Sequence, residues 1–239
     1  MGNLWALYRR ETNSVFLSPV VYLFTTVFLV VTGFFFYIYI RDAQQASLRW
    51  VFSNISIILL FFAPAITMRL LSEEAKTGTL ETLMTAPVTD IQVVLAKFFA
   101  GLTFYMVMLL PTLSYVALLR MVAGSGVVDY GPVLSAYLGF ILMGAMFVSL
   151  GLFFSSLTRN QIVAFAVTLA TLLLLWVVGM FARGKTGVIH QIIGFLGMFE
   201  HIDAFVKGLI DTRDVVYYLS TTFFFLFLTV RSVESRKWR

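Results

Sequence analysis

Three short stretches hold the residue types that could do chemistry. The first, SEEAKTGTLETLMTAPVTD at 72–90, places Glu73, Glu74, Glu81 and Asp90 between two long apolar runs. Carboxylates in such a setting can pair with cations, cap helices or meet a basic partner. The second, GMFARGKT at 179–186, fits the G-x-x-x-x-G-K-[ST] pattern of a phosphate-binding loop. The third, Glu200-His201-Ile202-Asp203 with His190 upstream, offers nitrogen and oxygen ligands of the kind a metal takes.

Two of these fail on context. A phosphate loop needs a strand before it and a helix after it, so that backbone N–H groups converge on the phosphates. Here a lipid-spanning run precedes the glycines, so nucleotide chemistry is expected on another chain. The two histidines form no i, i+4 pair, and polar caps of a turn account for Glu200, His201 and Asp203 as well as a metal would. No metal and no cofactor is therefore expected on this chain.

The elements that must position these residues follow from composition. The chain has 239 residues, 60% of them hydrophobic and 12% charged, with a mean hydropathy of +0.92. Soluble domains carry roughly 25% charged residues, so lipid is the expected solvent for most of the chain. The formal charge is +5. The basic residues are scattered at the ends of apolar runs, which suits lipid headgroups rather than nucleic acid. With no cysteine, disulfides and thiolate metal sites are excluded.

A spanning helix needs about 20 mostly apolar residues. Six runs qualify, at 19–40, 51–71, 91–119, 133–157, 161–182 and 215–230. The first exceeds the apolar core of a cleavable leader and reads as a retained span. The third contains Pro111, which predicts a kink. The stretch 188–210 is broken by Gly194 and Gly197, and each half is too short to cross. It is expected to form a re-entrant helical hairpin, with a true span as the alternative. Residues 2–18, with Leu4, Leu7, Tyr8 and Val15 near helical spacing, suit an amphipathic helix in the interface plane. A frayed terminus is the alternative there. The expected fold is all-α and polytopic, a single domain over 1–239.

With six crossings, one set of ends carries Arg9, Arg10, Arg69, Lys76, Lys97, Arg159 and the basic C-terminal tail. That set exceeds the other, which leans toward cytoplasmic termini and a cytoplasmic 72–90 segment. With Lys97 counted among those ends, the interiors of the spans carry no Asp, Glu, Lys, Arg or His. This argues against an ion-coupled carrier, an intramembrane protease or a haem protein. Gly139, Gly144, Gly151 and the hydroxyls Ser53, Ser56, Ser155, Ser156, Thr168 and Thr171 read as close-packing positions, with a polar translocation lining as the other reading.

The 72–90 segment is punctuated with care. Gly78 suits a left-handed helix stop. Thr79 can then cap a short helix that Pro87 ends, with Leu80, Leu83 and Met84 on one face and Glu81 in its first turn. Thr89-x-x-Gln92 reads as a capping box that launches the third span. A solvated connector needs no apolar face, whereas a docking element does.

At this point the residues resemble a known family. Thr67-Met68-Arg69, Glu73-Glu74, Gly78-Thr79-Leu80-Glu81-Thr82-Leu83 and Pro87-Val88 resemble the hallmark of ATP-binding-cassette transporter permeases of the type-2, exporter family. The runs Ser155-Ser156-Leu157-Thr158-Arg159-Asn160-Gln161 and His201 through Phe205, Gly208, Ile210, Asp211, Arg213, Asp214 and Tyr217 are similar to a branch with gliding-motility and nitrous-oxide-reductase-maturation permeases.

The resemblance implies an N-terminal interfacial helix, a cytoplasmic coupling helix at 79–86 and outer re-entrant helices before the sixth span. It implies a multi-pass protein of a prokaryotic inner membrane, paired with a second permease copy or paralogue and two cytoplasmic ATPase subunits that hold ATP and Mg. Glu73, Glu74, Gly78, Thr79, Leu80, Glu81, Leu83, Met84 and Pro87 would then serve ATPase coupling. Glu200, His201, Phe205, Gly208 and Asp211 would serve the outer gate. The alternatives are a membrane anchor that transmits force to an outer-face accessory protein without moving solute, and an ion-coupled carrier.

Overall fold

The computed structural model describes residues 2–42, 48–79, 88–122, 129–182 and 194–236, and all regular structure among them is helical. In chain order the helices are α1 (Gly2–Leu17), α2 (Pro19–Asp42), α3 (Arg49–Thr67), α4 (Ser72–Thr77), α5 (Asp90–Leu109), α6 (Leu113–Val122), α7 (Tyr130–Leu157), α8 (Gln161–Ala182), α9 (Met198–Val206) and α10 (Thr212–Arg236). Six helical stretches are long and apolar enough to cross a membrane. They overlap the six runs read from sequence, and the chain is an all-α, multi-pass membrane protein.

Burial sorts the six into two groups. Within their most apolar windows, the stretches built on α3, α5–α6 and α7 bury 67%, 61% and 72% of residues inside the chain, against 17%, 22% and 28% for α2, α8 and α10. Three stretches thus form an inner body, and three present most of their surface outward. On α2 the inward stripe is Phe28, Thr32 and Phe36, one residue per turn, while Tyr22, Leu23, Val27, Val30 and Phe34 are exposed.

Helix α7 is the hub, packing against α10, α3, α9, α8 and α5. Its glycines allow this. A Cβ on Gly144 would sit 2.2 Å from the Tyr105 ring, and one on Gly151 would sit 2.0 Å from the Thr67 hydroxyl. The Tyr105 hydroxyl, buried against α7, donates to the Phe140 carbonyl at 3.0 Å. The close-packing reading of Gly144 and Gly151 therefore holds.

Punctuation falls where local chemistry puts it. Gly78 is left-handed at φ 75° and ends α4. The Gln92 amide donates to Thr89 Oγ1 at 3.3 Å and the Thr89 amide donates to Gln92 Oε1 at 3.2 Å, completing the capping box of α5. Around Pro111 the third span passes through a 3₁₀ turn, Leu110–Thr112. One difference emerges in the second span. The run 51–71 is not one unbroken helix: α3 carries Pro64 inside, ends at Thr67 and is followed by a turn at 68–71 before α4 begins. Pro64 removes the donor that would bond the Leu60 carbonyl and crowds that preceding turn, while the ladder still closes at the end of α3, where the Met68 amide donates to the Pro64 carbonyl at 2.9 Å.

The N-terminal stretch is helical over Gly2–Leu17 rather than frayed. Tyr8 bonds Thr103 at 2.9 Å and Phe16 meets Phe104 edge-on at 6.2 Å. Helix α1 thus packs extensively against α5.

Candidate functional site

A cluster of charges sits where α1, α4 and α5 meet. The Lys97 ammonium lies 2.9 Å from Glu11 Oε2 and 2.7 Å from Glu74 Oε1, with its side chain 2% exposed. Lys97 falls within the run 91–119. The reading that leaves it among the solvated ends of the spans is corrected here. It is one of the most buried large side chains among the described residues. An ammonium can be stable there only because two carboxylates converge on it.

Each member is positioned by a different element. Glu74 stands in the first turn of α4, where unpaired N–H groups favour a carboxylate. Glu11 comes from the middle of α1. Beside them Arg69 grips Glu73 with both arms of its guanidinium, Nε to Oε2 at 2.8 Å and Nη2 to Oε1 at 3.0 Å. This pair bridges the 68–71 turn, and both partners are partly exposed. Its Coulombic worth is small and its geometric constraint larger.

The turn itself is filled from α7. The Ser155 hydroxyl accepts from the Leu71 amide at 3.1 Å and from the Ser72 amide at 2.9 Å, and it donates to the Met68 carbonyl at 3.1 Å. One side chain thus satisfies three backbone groups that the break in the helix frees. The Ser72 hydroxyl also donates to the Met68 carbonyl. Together these bonds aim α4.

At the other end of the bundle, α9 and the start of α10 hold a second buried polar set. His201 Nδ1 lies 2.6 Å from Asp214 Oδ1, and Nε2 donates to the Phe195 carbonyl at 2.9 Å. The ring stacks on Tyr217 at 4.0 Å between centroids. The Tyr217 hydroxyl donates to the Leu196 carbonyl at 3.0 Å and the Tyr218 hydroxyl to the Met198 carbonyl at 2.7 Å. Phe205 is buried against Gly139, where a Cβ would meet it at 2.7 Å. Gly208 turns the chain at φ 90° beside Pro132, and the Asp211 carboxylate accepts from the Arg213 amide at 2.9 Å at the start of α10. Glu200 lies on α9, in the wall of a cleft shared with Ser53, Ser56 and Trp176. Both nitrogens of His201 are engaged within the protein, the arrangement of a packed structural histidine. His190 lies outside the described residues.

The family of ABC-2 family transporter proteins matches residues 5–233, nearly the whole length. The chain belongs to the ABC-2 transporter family. It is a membrane permease subunit of an ABC transporter, and the family associates with ABC ATPase subunits. No curated protein matches the chain.

On this ABC-2 permease the predicted coupling residues divide in two. Glu73, Glu74, Gly78 and Thr79 are described and stand together around α4, with Thr79 Oγ1 2.9 Å from Thr77 Oγ1. Leu80, Glu81, Leu83, Met84 and Pro87 lie outside the described residues, as do Gly184, Lys185 and Thr186 of the phosphate-loop pattern. Gly179 of that pattern lies within α8, where its backbone passes against Gly197. Of the gate residues, Glu200, His201 and Phe205 share α9, while Gly208 and Asp211 form the turn into α10.

Sequence reasoning missed Glu11, Lys97, Ser155 and Asp214 as organisers. For Lys97 a signal was present, since a single charge interrupts the apolar run Val93-Val94-Leu95-Ala96-Lys97-Phe98-Phe99. For Ser155 the sequence marked a packing hydroxyl and the start of a family motif but not the role, because its partners are 83 and 84 residues away.

Proposed function

We propose that this ABC-2 permease is an exporter subunit driven through its 72–90 segment by separate, cytoplasmic ATPase subunits. It would belong to the branch whose motifs Ser155–Gln161 and His201–Tyr217 resemble. The observation that carries the reading is the convergence on α4. Glu74 ties it through Lys97 to α1 and α5, and Ser155 ties its first backbone groups to α7. A force applied at 79–86 enters the body through this short, well-tethered helix and is delivered to the N-terminal helix and two inner spans at once. Nothing in such a role requires catalysis on this chain; ATP and Mg belong to the partner.

In this reading the termini and 72–90 face the cytoplasm of a prokaryotic inner membrane, and α1 lies in the interface plane. Helix α9 is nine residues long, about 14 Å at the helical rise and too short to cross. It acts as the inserted arm of a re-entrant hairpin. Its tethers through His201, Tyr217 and Phe205 make it a rigid plug at the outer mouth, with Glu200 at its edge and Gly208 and Asp211 as its hinge. A second permease, a copy or a paralogue, completes the pathway. A coupling mechanism needs an element with two arrangements that both sites bias, here the inward- and outward-open states of the pair.

The test is Glu81→Arg with the ATPase co-expressed. Reversal of this one charge should abolish co-purification of the ATPase and export together while leaving the permease folded. Unchanged co-purification with normal export would refute docking through this segment. Intact assembly with transport-independent ATPase turnover would point to mechanical transmission instead.

A further inference from the structure

Between α1, α2, the α3–α4 turn and α5 lies a cleft of about 330 Å³. Its polar rim holds Glu11, Arg69, Glu73, Glu74 and Lys97, and its floor is apolar, with Val21, Phe24, Ile66 and Phe104. We propose that this cleft binds the headgroup of an aminophospholipid, the phosphate against Arg69 and the primary ammonium against Glu74, with the first part of the acyl chains along α2. The cleft shares Glu73 and Glu74 with the segment proposed to couple to the ATPase, but lipid retention is read on the permease alone and so stands or falls separately from that coupling.

Three observations carry the assignment. The first is position. The cleft is walled by Ser18, Val20, Val21 and Phe24 at the start of α2, the most outward-facing of the candidate spans. On the same helix Tyr22, Leu23 and Val27 are exposed. A lipid alongside α2 thus has its head level with the charged rim and its chains level with the apolar floor.

The second is charge. Among the described residues the carboxylates Glu11, Glu73 and Glu74 face the two cations Arg69 and Lys97, leaving one net negative charge in the rim. An anionic head would raise that to two, whereas a zwitterion leaves it unchanged and can place a cation beside the excess carboxylate. The third is an unmet acceptor. Glu74 Oε2 is closed off from solvent and has no hydrogen-bond partner among the described residues, so a rotation of the Glu74 side chain is needed to present it to a ligand in the cleft. Leaving a charged acceptor unpaired is costly. A primary ammonium supplies three donors and a quaternary one supplies none. Arg69 keeps a donor for phosphate, since its Nη1 makes only a long 3.4 Å contact with Ser18.

The experiment is native mass spectrometry of the permease from nanodiscs of equal parts phosphatidylethanolamine, phosphatidylcholine and phosphatidylglycerol. One phosphatidylethanolamine should be retained in preference to the others. Arg69→Gln, at a partly exposed position, should lower that retention about tenfold, as expected for loss of a charge-assisted contact. Ser14→Trp, which fills the cleft from an exposed position of α1, should abolish it with no change in thermal unfolding.

The substitution Ser14→Cys gives a second reading, since the chain has no native cysteine. Labelling of the introduced thiol should be slower in phosphatidylethanolamine than in phosphatidylcholine discs. Equal retention of the three lipids, or retention insensitive to both Arg69→Gln and Ser14→Trp, would overturn the proposal. Soluble phosphoethanolamine displacing the lipid completely would overturn its lipid part. Protection of the thiol at position 14 by the ATPase alone would assign the cleft to a basic side chain of that subunit and overturn the proposal as well.

Discussion

Lys97 concentrates the energetics at the residue scale. Its two carboxylates leave the triad with one net negative charge, and desolvation offsets most of the attraction, so the triad specifies position more than it stabilises. Removing one member is different, because it strands the others. Lys97→Met should destabilise the permease by about 3–5 kcal/mol, the penalty for uncompensated buried charge. Adding Glu11→Gln and Glu74→Gln to that variant should recover more than half of the loss. Thermal unfolding in detergent checks both. A triple variant no more stable than the single one would mean that Lys97 acts through packing of its stem alone.

At the scale of elements, the turn at 68–71 decides how α4 is aimed. Other stops were legible because each depends on neighbours in sequence: Gly78 for a left-handed stop and Thr89 with Gln92 for a reciprocal cap, while Pro111, read as a kink, coincides with a 3₁₀ turn. The break after Pro64 is filled by a residue on another helix, so it was not legible. Ser155→Ala leaves the Leu71 and Ser72 amides without their partner, while the Met68 carbonyl keeps the Ser72 hydroxyl, and should cost about 1–3 kcal/mol. The specific readout is hydrogen exchange, which should accelerate at the Leu71 and Ser72 amides while the middle of α3 keeps its protection. Unchanged exchange at those two amides would rule out the tethering role of Ser155.

For the whole molecule, α7 is the axis on which four of the other five spans are hung, with α2 packed on α3 instead, and α10 is the least apolar of the six stretches at a mean hydropathy of 1.4. The absence of native cysteine makes a clean topology test. Asn13→Cys and Ser235→Cys, both at exposed positions, should be labelled by an impermeant thiol reagent from one side of the membrane. Leu209→Cys, 63% exposed in the wild-type protein between α9 and α10, should be labelled from the other. Labelling of positions 209 and 235 from the same side would remove α10 from the spans and with it the six-crossing architecture.

The amino-acid sequence by itself determined the solvent, the helical content, the number of apolar runs and most of the stops. Each of these rests on hydropathy or on contacts a few residues long. The 72–90 pattern and the family to which the chain belongs were also written there. Only the tertiary structure decided which faces turn inward, that Lys97 is buried between Glu11 and Glu74, and that Ser155 mends the break before α4. The reason is physical. Lipid is as hospitable to leucine and phenylalanine as the protein interior is, so an apolar pattern marks a span without marking its packed side. Small residues, hydroxyls and the occasional charge make that choice, and their partners lie scores of residues away along the chain.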